Sequence, residues 1–137
     1  MNVPVIAVDF DGTCVEHAYP DIGDDVGAVP VLRALSNKGY RIILWTMRDG
    51  KELEAAQAWF AENGIPLYGA NHHPDQHWTG SPKVHADLYI DDKGINVPLK
   101  YPEECFLGAP TTRRPFVDWE TVRFLLEQSG WLKPGDK

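Results

Sequence analysis

Acidic, hydroxyl and basic side chains stand at four separate places in the sequence, and their types suit work on a phosphate group. The set consists of Asp9, Asp11, Thr46, Lys83, Asp91 and Asp92. Carboxylates brought together without a cation repel one another and raise each other's pKa values, and a divalent cation removes that conflict. Because these acids offer only oxygen ligands, with no Cys or His among them, the set favours Mg²⁺ over Zn²⁺.

Phosphoryl transfer is the reaction that this combination of groups can support. Mg²⁺ and Lys83 can neutralise phosphoryl oxygens, while the Thr46 hydroxyl donates a hydrogen bond to one of them. One carboxylate can act as the nucleophile and another can carry the proton. Gly12, next to Asp11, lets the backbone turn tightly and come close to a ligand.

Short apolar segments precede most of these residues and predict the elements that must position them. We predict strands over residues 5–8, 42–45, 66–68 and 88–90. Helices are predicted over 26–38, between the cap Asp49 and the stop at Asn63 and Gly64, and after the cap Asp118. Residues 69–82 are predicted to form a His-rich loop, and residues 93–115 an irregular segment rich in Pro and Gly.

The alternation of strands and helices predicts an α/β fold with a parallel sheet and helices on its faces. In such sheets ligands bind beyond the carboxyl ends of the strands. The acids, the hydroxyl and the lysine stand at or near those ends, so we expect them to meet at one edge.

With these residues in this order, the sequence resembles the haloacid dehalogenase (HAD) superfamily of phosphohydrolases. The run Asp9-Phe10-Asp11-Gly12-Thr13 matches its first motif, Thr46 its second, Lys83 its third, and Asp91-Asp92 its fourth. The matches fall within residues 5–92, about two thirds of the chain. The resemblance implies a Rossmann-like three-layer sandwich whose central parallel sheet has the first strand in its middle.

The resemblance also implies roles for the matched residues. Asp9 is expected to form an aspartyl-phosphate, and Asp11 to protonate the leaving group and then activate water. Mg²⁺ is expected on Asp9, on the backbone carbonyl of Asp11 and on the fourth-motif acids, with Asp92 favoured as the direct ligand and Asp91 in support. Thr46 and Lys83 are expected to bind phosphoryl oxygens.

The spacing of the motifs bears on domain organisation. Only 35 residues separate Asp11 from Thr46, and 37 separate Thr46 from Lys83. Helices, strands and loops use these residues, so no cap domain fits, and residues 1–137 are predicted to form a single domain. The chain therefore resembles capless HAD members, which act on large substrates or use a partner subunit as a lid, and a homodimer is one expectation.

Composition and charge limit the other possibilities. The chain has 137 residues, 13 Lys+Arg against 20 Asp+Glu, and a formal net charge of −7, which argues against nucleic-acid binding through bulk charge. Asp9 and Asp11 interrupt the N-terminal apolar run, so we expect neither a signal peptide nor a membrane span, and a cytoplasmic location. The substrate remains open among phosphorylated small molecules, nucleotides and macromolecular ends.

Two other classes of function compete with a phosphatase. A phosphoacceptor receiver domain combines similar residues, but its acceptor Asp lies in mid-chain and its Lys comes last, whereas here the acid pair follows Lys83. A catalytically silent binding module on the same fold is the second alternative. The presence of every residue type that the reaction needs favours the enzyme.

Several further residues carry open alternatives. Arg48 can contact phosphate or leaving group, or form a salt bridge with Asp49 or Glu52. The segment 14–27 is predicted as a small flap beside the site, in which His17, Tyr19 and Asp21 either touch substrate or are solvated. His72, His73 and His77 are expected in a solvated loop that lines the site. Arg113 and Arg114 can bind an anionic substrate tail or lie in a solvated loop.

Overall fold

The computed structural model describes residues 3–108 and 110–137. Its main sheet contains β1 (Val5–Val8), β2 (Arg41–Leu44), β3 (Gly69–Ala70) and β4 (Leu88–Ile90) in the order β3-β2-β1-β4. All three pairings are parallel. The chain therefore has the α/β, Rossmann-like fold predicted from the sequence, with β1 between β2 and β4.

Three α-helices accompany the sheet: α1 (Ala28–Asn37), α2 (Gly50–Glu62) and α3 (Trp119–Gln128). The Asp118 side chain caps α3 by accepting a hydrogen bond from the Thr121 amide at 3.2 Å, as the sequence predicts. Asp49 occupies the N-cap position of α2, but its side chain makes no cap hydrogen bond, so the predicted capping box is not formed.

The two faces of the sheet are covered differently, because successive strand residues point to opposite sides. The first face, with Ile6 and Val8, packs against buried residues of all three helices. The opposite face packs Val5 and Ile43 against Val84, with further residues of the 68–86 segment around them. The second layer is therefore an extended segment, whereas the sequence predicts helices on both faces.

The third strand and the C-terminal region depart from the predicted boundaries. Pro66 has no N–H to donate, and the first ladder bond runs from the Tyr68 amide to the Ile42 carbonyl at 2.7 Å, so the strand lies at Gly69–Ala70. The predicted irregular segment contains an antiparallel pair, β5 (Leu99–Lys100) with β6 (Phe116–Val117), and a 3₁₀ turn at Glu103–Cys105. In the last helix, Leu126 is buried, whereas its neighbour Leu125 is 46% exposed.

The segments between the sheet-edge motifs are short in the structure as well. The chain from Asp11 to Thr46 contains α1 and β2, and the chain from Thr46 to Lys83 contains α2 and β3, so neither carries a cap domain. Among the residues described, no helix is both long enough and apolar enough to cross a bilayer.

Candidate active site at the carboxyl edge of the sheet

The turn after β1 is held by the backbone and packed from below. The Phe10 carbonyl accepts hydrogen bonds from the amides of Thr13, Cys14 and Val15 at 3.1, 2.8 and 3.3 Å. The Phe10 side chain is fully buried in the core. Asp9 and Asp11, on either side of Phe10 in the sequence, therefore point away from the core and lie at the edge of the sheet.

Three carboxylates converge at this edge. Asp9, Asp91 and Asp92 each offer one oxygen, and these oxygens lie within 4.8 Å of one another. Burial raises the pKa of Asp9 to about 8, and the neighbouring charge of Asp91 adds to that shift. The Asp11 side chain is not part of this group, so the predicted acid cluster forms from three of its four members.

Thr13 joins Asp9 to the fourth-motif acids. Its hydroxyl donates to Asp9 Oδ2 at 3.0 Å and accepts from the Asp92 amide at 3.1 Å. The residue is fully buried. Sequence analysis included Thr13 in the first motif without assigning it a role, and the structure gives it an orienting contact.

The two fourth-motif acids differ in their partners. Asp92 is 8% exposed, and its Oδ2 lies 3.0 Å from His17 Nε2. Asp91 Oδ1 accepts the Lys93 amide at 2.9 Å. Burial raises the pKa of Asp91 and the nearby Asp92 carboxyl adds to this, while the Lys93 amide and side-chain charge oppose it. Both acids can reach a shared cation, so the predicted preference for Asp92 stays a prediction.

Asp11 forms an ion pair with Arg48. Nε and Nη2 of Arg48 donate to the two carboxylate oxygens of Asp11, each at 2.7 Å. Arg48 is only 2% exposed, and its bond to Asp11 raises the pKa of the guanidinium. The predicted salt bridge of Arg48 to Asp49 or Glu52 is therefore wrong, and its predicted contact with a substrate stays a prediction.

The turn after β2 is held by a residue that sequence analysis missed. The Thr46 amide donates to Asn71 Oδ1 at 2.8 Å, and Asn71 Nδ2 donates to the Arg48 carbonyl at 3.1 Å. Asn71 has a φ of 55°, a conformation that Asn tolerates better than most residues. The Thr46 hydroxyl accepts the Arg48 amide at 3.1 Å, so its own proton remains free to donate to a ligand.

The Lys83 side chain lies beside an aromatic ring. The residue is exposed, and its Nζ lies 5.4 Å from the centroid of the Tyr89 ring. Within the described part of the chain, Lys83 forms no salt bridge. Tyr89 lies on the sheet face opposite the helices, and the predicted phosphoryl contact of Lys83 stays a prediction. Lys93, beside Asp91, is a basic residue that sequence analysis did not consider.

The flap over residues 14–27 contacts the site through all three residues singled out in the sequence. His17 bonds to Asp92, as above. The guanidinium of Arg48 lies 5.1 Å from the centroid of the Tyr19 ring and donates to the Asp21 carbonyl at 2.7 Å. The alternative of a solvated turn therefore does not hold for His17, whereas Tyr19 is 61% exposed and its contact with substrate stays a prediction.

The remaining polar candidates lie elsewhere. His73 is buried and helps to line a cavity of about 230 Å³ beside Val5 and Arg41, at the edge where the strands begin. His73 is therefore neither solvated nor beside the acid cluster, contrary to prediction. Arg113 pairs with Glu16 of the flap and with Glu104; Arg114 is exposed.

Comparison with known proteins relates the chain to one solved structure. No family model matches it, and no curated protein does. The structure of a conserved protein from Bacteroides thetaiotaomicron is 36% identical in sequence, with 93% of each chain covered and a TM-score of 0.71. At that identity and coverage, the chain belongs to the same family as this conserved protein.

Proposed function

We propose that the protein is a Mg²⁺-dependent phosphatase that hydrolyses a phosphate monoester through an aspartyl-phosphate on Asp9. One observation carries this proposal: the half-buried Asp9 carboxylate stands at the end of the inner strand β1, with oxygens of Asp91 and Asp92 close by. The carboxylate that acts as the nucleophile, Asp9, therefore lies within the group of acids that can bind the cation.

The acid cluster fits a hard divalent cation. Its three side chains offer only oxygen atoms, which Mg²⁺ prefers. Burial of Asp9, with the nearby charge of Asp91, raises the pKa of Asp9, so its ionised form is disfavoured without a cation. Bound Mg²⁺ neutralises this negative charge and that of the phosphoryl oxygens, which favours the ionised form of Asp9.

The contacts of Asp9 and Thr46 suit a reaction with phosphorus. Thr13 holds Asp9 Oδ2, so Oδ1 is the oxygen that attacks. A bond forms between Oδ1 and phosphorus as the bond from phosphorus to the leaving oxygen breaks. The Thr46 hydroxyl donates to a phosphoryl oxygen during both steps.

Asp11 supplies the proton for the leaving oxygen. It then accepts a proton from the water that attacks phosphorus and releases phosphate from Asp9. Since both of its oxygens bond to Arg48, this ion pair must open on one side before Asp11 can act. We assign Lys83 no role, because its Nζ lies against Tyr89.

Two observations favour a second candidate, a cation-binding module without turnover. Asp11 is engaged by a buried arginine, and Lys83, whose Nζ lies against Tyr89, forms no salt bridge with the acids in the described part of the chain. In that case the acid cluster still binds Mg²⁺, but no phosphate is released.

Phosphate release from a panel of monoesters, with Mg²⁺ and with chelator, tests the two candidates. The panel includes sugar phosphates, nucleotides, a phosphopeptide and a 3′-phosphorylated oligonucleotide. A phosphatase releases phosphate only with Mg²⁺ present and Asp9 intact, so Asp9→Asn serves as the blank. Glu54→Gln is the matched control, because Glu54 is an exposed carboxylate on α2. Mg²⁺ binding without release from any ester supports the silent module instead.

A further inference from the structure

A cavity lies at the edge of the sheet opposite the acid cluster. It has a volume of about 230 Å³ and is lined in part by Val5 and Arg41, the first residues of β1 and β2. This is smaller than the roughly 300–1,000 Å³ of sites for drug-sized ligands. The cavity therefore suits a small molecule, and the phosphatase chemistry does not use it.

Aromatic rings form one wall of the cavity. The Trp78 ring lies edge-on to His85 and His73, with centroid distances of 5.6 and 6.2 Å. Trp78 nevertheless remains 66% exposed. A large indole that stands nearly perpendicular to two neighbouring rings and stays mostly exposed is suited to stacking on a planar ligand.

His73 presents a hydrogen-bond donor. Its Nδ1 accepts the Asp75 amide at 3.1 Å, so Nδ1 carries no proton. Burial lowers the pKa of His73, which favours the neutral ring, and the single proton is then on Nε2. Among the described residues, this Nε2 has no hydrogen-bond partner, and the ring lines the cavity.

Arg41 and Asp87 add a second donor and an acceptor to the same walls. The Arg41 guanidinium is steadied 4.5 Å above the Tyr68 ring. Asp87 Oδ2 accepts the Val5 amide at 2.8 Å, which leaves its other oxygen for a ligand. The site thus offers donors and an acceptor around the edge of a planar slot.

We propose that this cavity binds a purine or pyrimidine base, presented as an uncharged nucleoside. A base matches the site because it is planar for Trp78 and carries ring acceptors for His73 and Arg41 and an amino or imino donor for Asp87. The two carboxylates of Asp75 and Asp87 exceed the single charge of Arg41, so a phosphate on the ligand weakens binding. This site is independent of the proposed phosphatase.

Titration of the full chain with adenosine, guanosine, cytidine and uridine, followed by ¹H–¹⁵N NMR, tests the proposal. We expect at least one nucleoside to shift the Trp78 indole and Val5 amide signals while the Gly12 amide stays in place. Trp78→Ala should weaken binding by about tenfold, since stacking of a base on an aromatic ring has that size. Phe106→Ala, at another exposed aromatic residue, should leave the affinity unchanged.

Three results would overturn the proposal. One is the absence of any chemical-shift change at a nucleoside concentration of about 1 mM, because a dissociation constant above this value is too weak for a specific site. Another is unchanged affinity in Trp78→Ala, which would place binding elsewhere. The third is equal binding of benzyl alcohol, which would show that the polar edge does not recognise a base.

Discussion

Arg48 forms a bidentate salt bridge with both carboxylate oxygens of Asp11, with two nitrogen–oxygen distances of 2.7 Å. The same guanidinium donates to the carbonyls of Pro20 and Asp21 in the flap and to that of Glu52 in α2. One buried side chain therefore ties the turn after β1, the flap and the helix after β2 to each other.

Replacement of Arg48 should cost stability in proportion to the bonds lost. Arg48→Ala leaves Asp11 without its partner and should lower the free energy of unfolding by about 3–5 kcal/mol, as for other broken buried ion pairs. Arg48→Lys keeps the charge but cannot form the two-pronged contact, so we expect an intermediate loss. Chemical denaturation measures both.

Arg33→Lys is the matched control for this series. Arg33 is exposed and donates a single bond to the Asn63 carbonyl at 2.6 Å. It should stay within about 0.5 kcal/mol of the wild type. If Arg48→Lys were equally harmless, the bidentate geometry would not matter for stability.

Asp11→Asn tests whether Asp11 carries the proton. Asn keeps the shape of the side chain but cannot donate and take up a proton as the carboxyl does. We expect turnover of the best phosphate monoester to fall by at least about a hundredfold, the usual contribution of general acid–base catalysis. Circular dichroism checks that the fold persists, and near-normal turnover would remove Asp11 from the reaction.

Sequence reasoning succeeded where a residue's local pattern decides its environment. Strand β4 and the cap Asp118 follow from short-range patterns, and the structure has them as predicted. The parallel order of the sheet also followed from the alternation of elements, and it brought Asp9 next to Asp91 and Asp92.

The contacts that sequence reasoning missed depend on tertiary geometry. Asn71 is distant from Thr46 in sequence and reaches it only because β3 lies beside β2. The carboxylates near Arg48 in the sequence suggest Asp49 or Glu52 as one alternative partner, but the carboxylate that it binds, Asp11, is 37 residues away. Nothing in the neighbouring residues of Lys83 indicates that Tyr89 holds its side chain.

Asn71 should position the Thr46–Arg48 turn through its amide as well as through its backbone. Asn71→Gly permits the φ of 55° but removes both side-chain bonds. Each bond is worth about 0.5–1.5 kcal/mol, so we expect a loss of roughly 1–3 kcal/mol. Asn71→Ala adds backbone strain of about 1–2 kcal/mol. If urea denaturation showed the Gly variant and the wild type to be equally stable, the side-chain hydrogen bonds of Asn71 would not contribute to stability.

Gly12 should be required by crowding as well as by conformation. Its φ is 78°, and a side-chain carbon there would run into His17 Nε2 and Asp92 Oδ2. Gly39 has a φ of 100° with open space around it, so Gly39→Ala measures the strain alone. We expect Gly12→Ala to be less stable than Gly39→Ala and to bind Mg²⁺ more weakly, by thermal shift. Equal stability and equal Mg²⁺ binding of the two variants would show that His17 and Asp92 can shift to accommodate the added carbon.

Asp9 should make the metal-free protein less stable as pH rises. Its pKa of about 8 in the folded state exceeds the 3.8 of an unperturbed Asp. Between these values the folded chain holds a proton that the unfolded chain has released, so stability falls as pH increases through this window. Asp9→Asn removes the ionisable group, and in EDTA the variant should have a higher Tm than the wild type at pH 8 and a similar one near pH 4.

The control for this experiment is a carboxyl with the opposite shift. Hydrogen bonding to Lys38 lowers the pKa of Asp136, so Asp136→Asn should reduce Tm at pH 8. Mg²⁺ should raise the Tm of the wild type at pH 8 more than that of Asp9→Asn, since a cation on the cluster relieves the cost of ionising Asp9. If instead Asp9→Asn had a lower Tm than the wild type in EDTA at pH 8, the ionised Asp9 would stabilise the fold. The argument that the cluster needs a cation would then be contradicted.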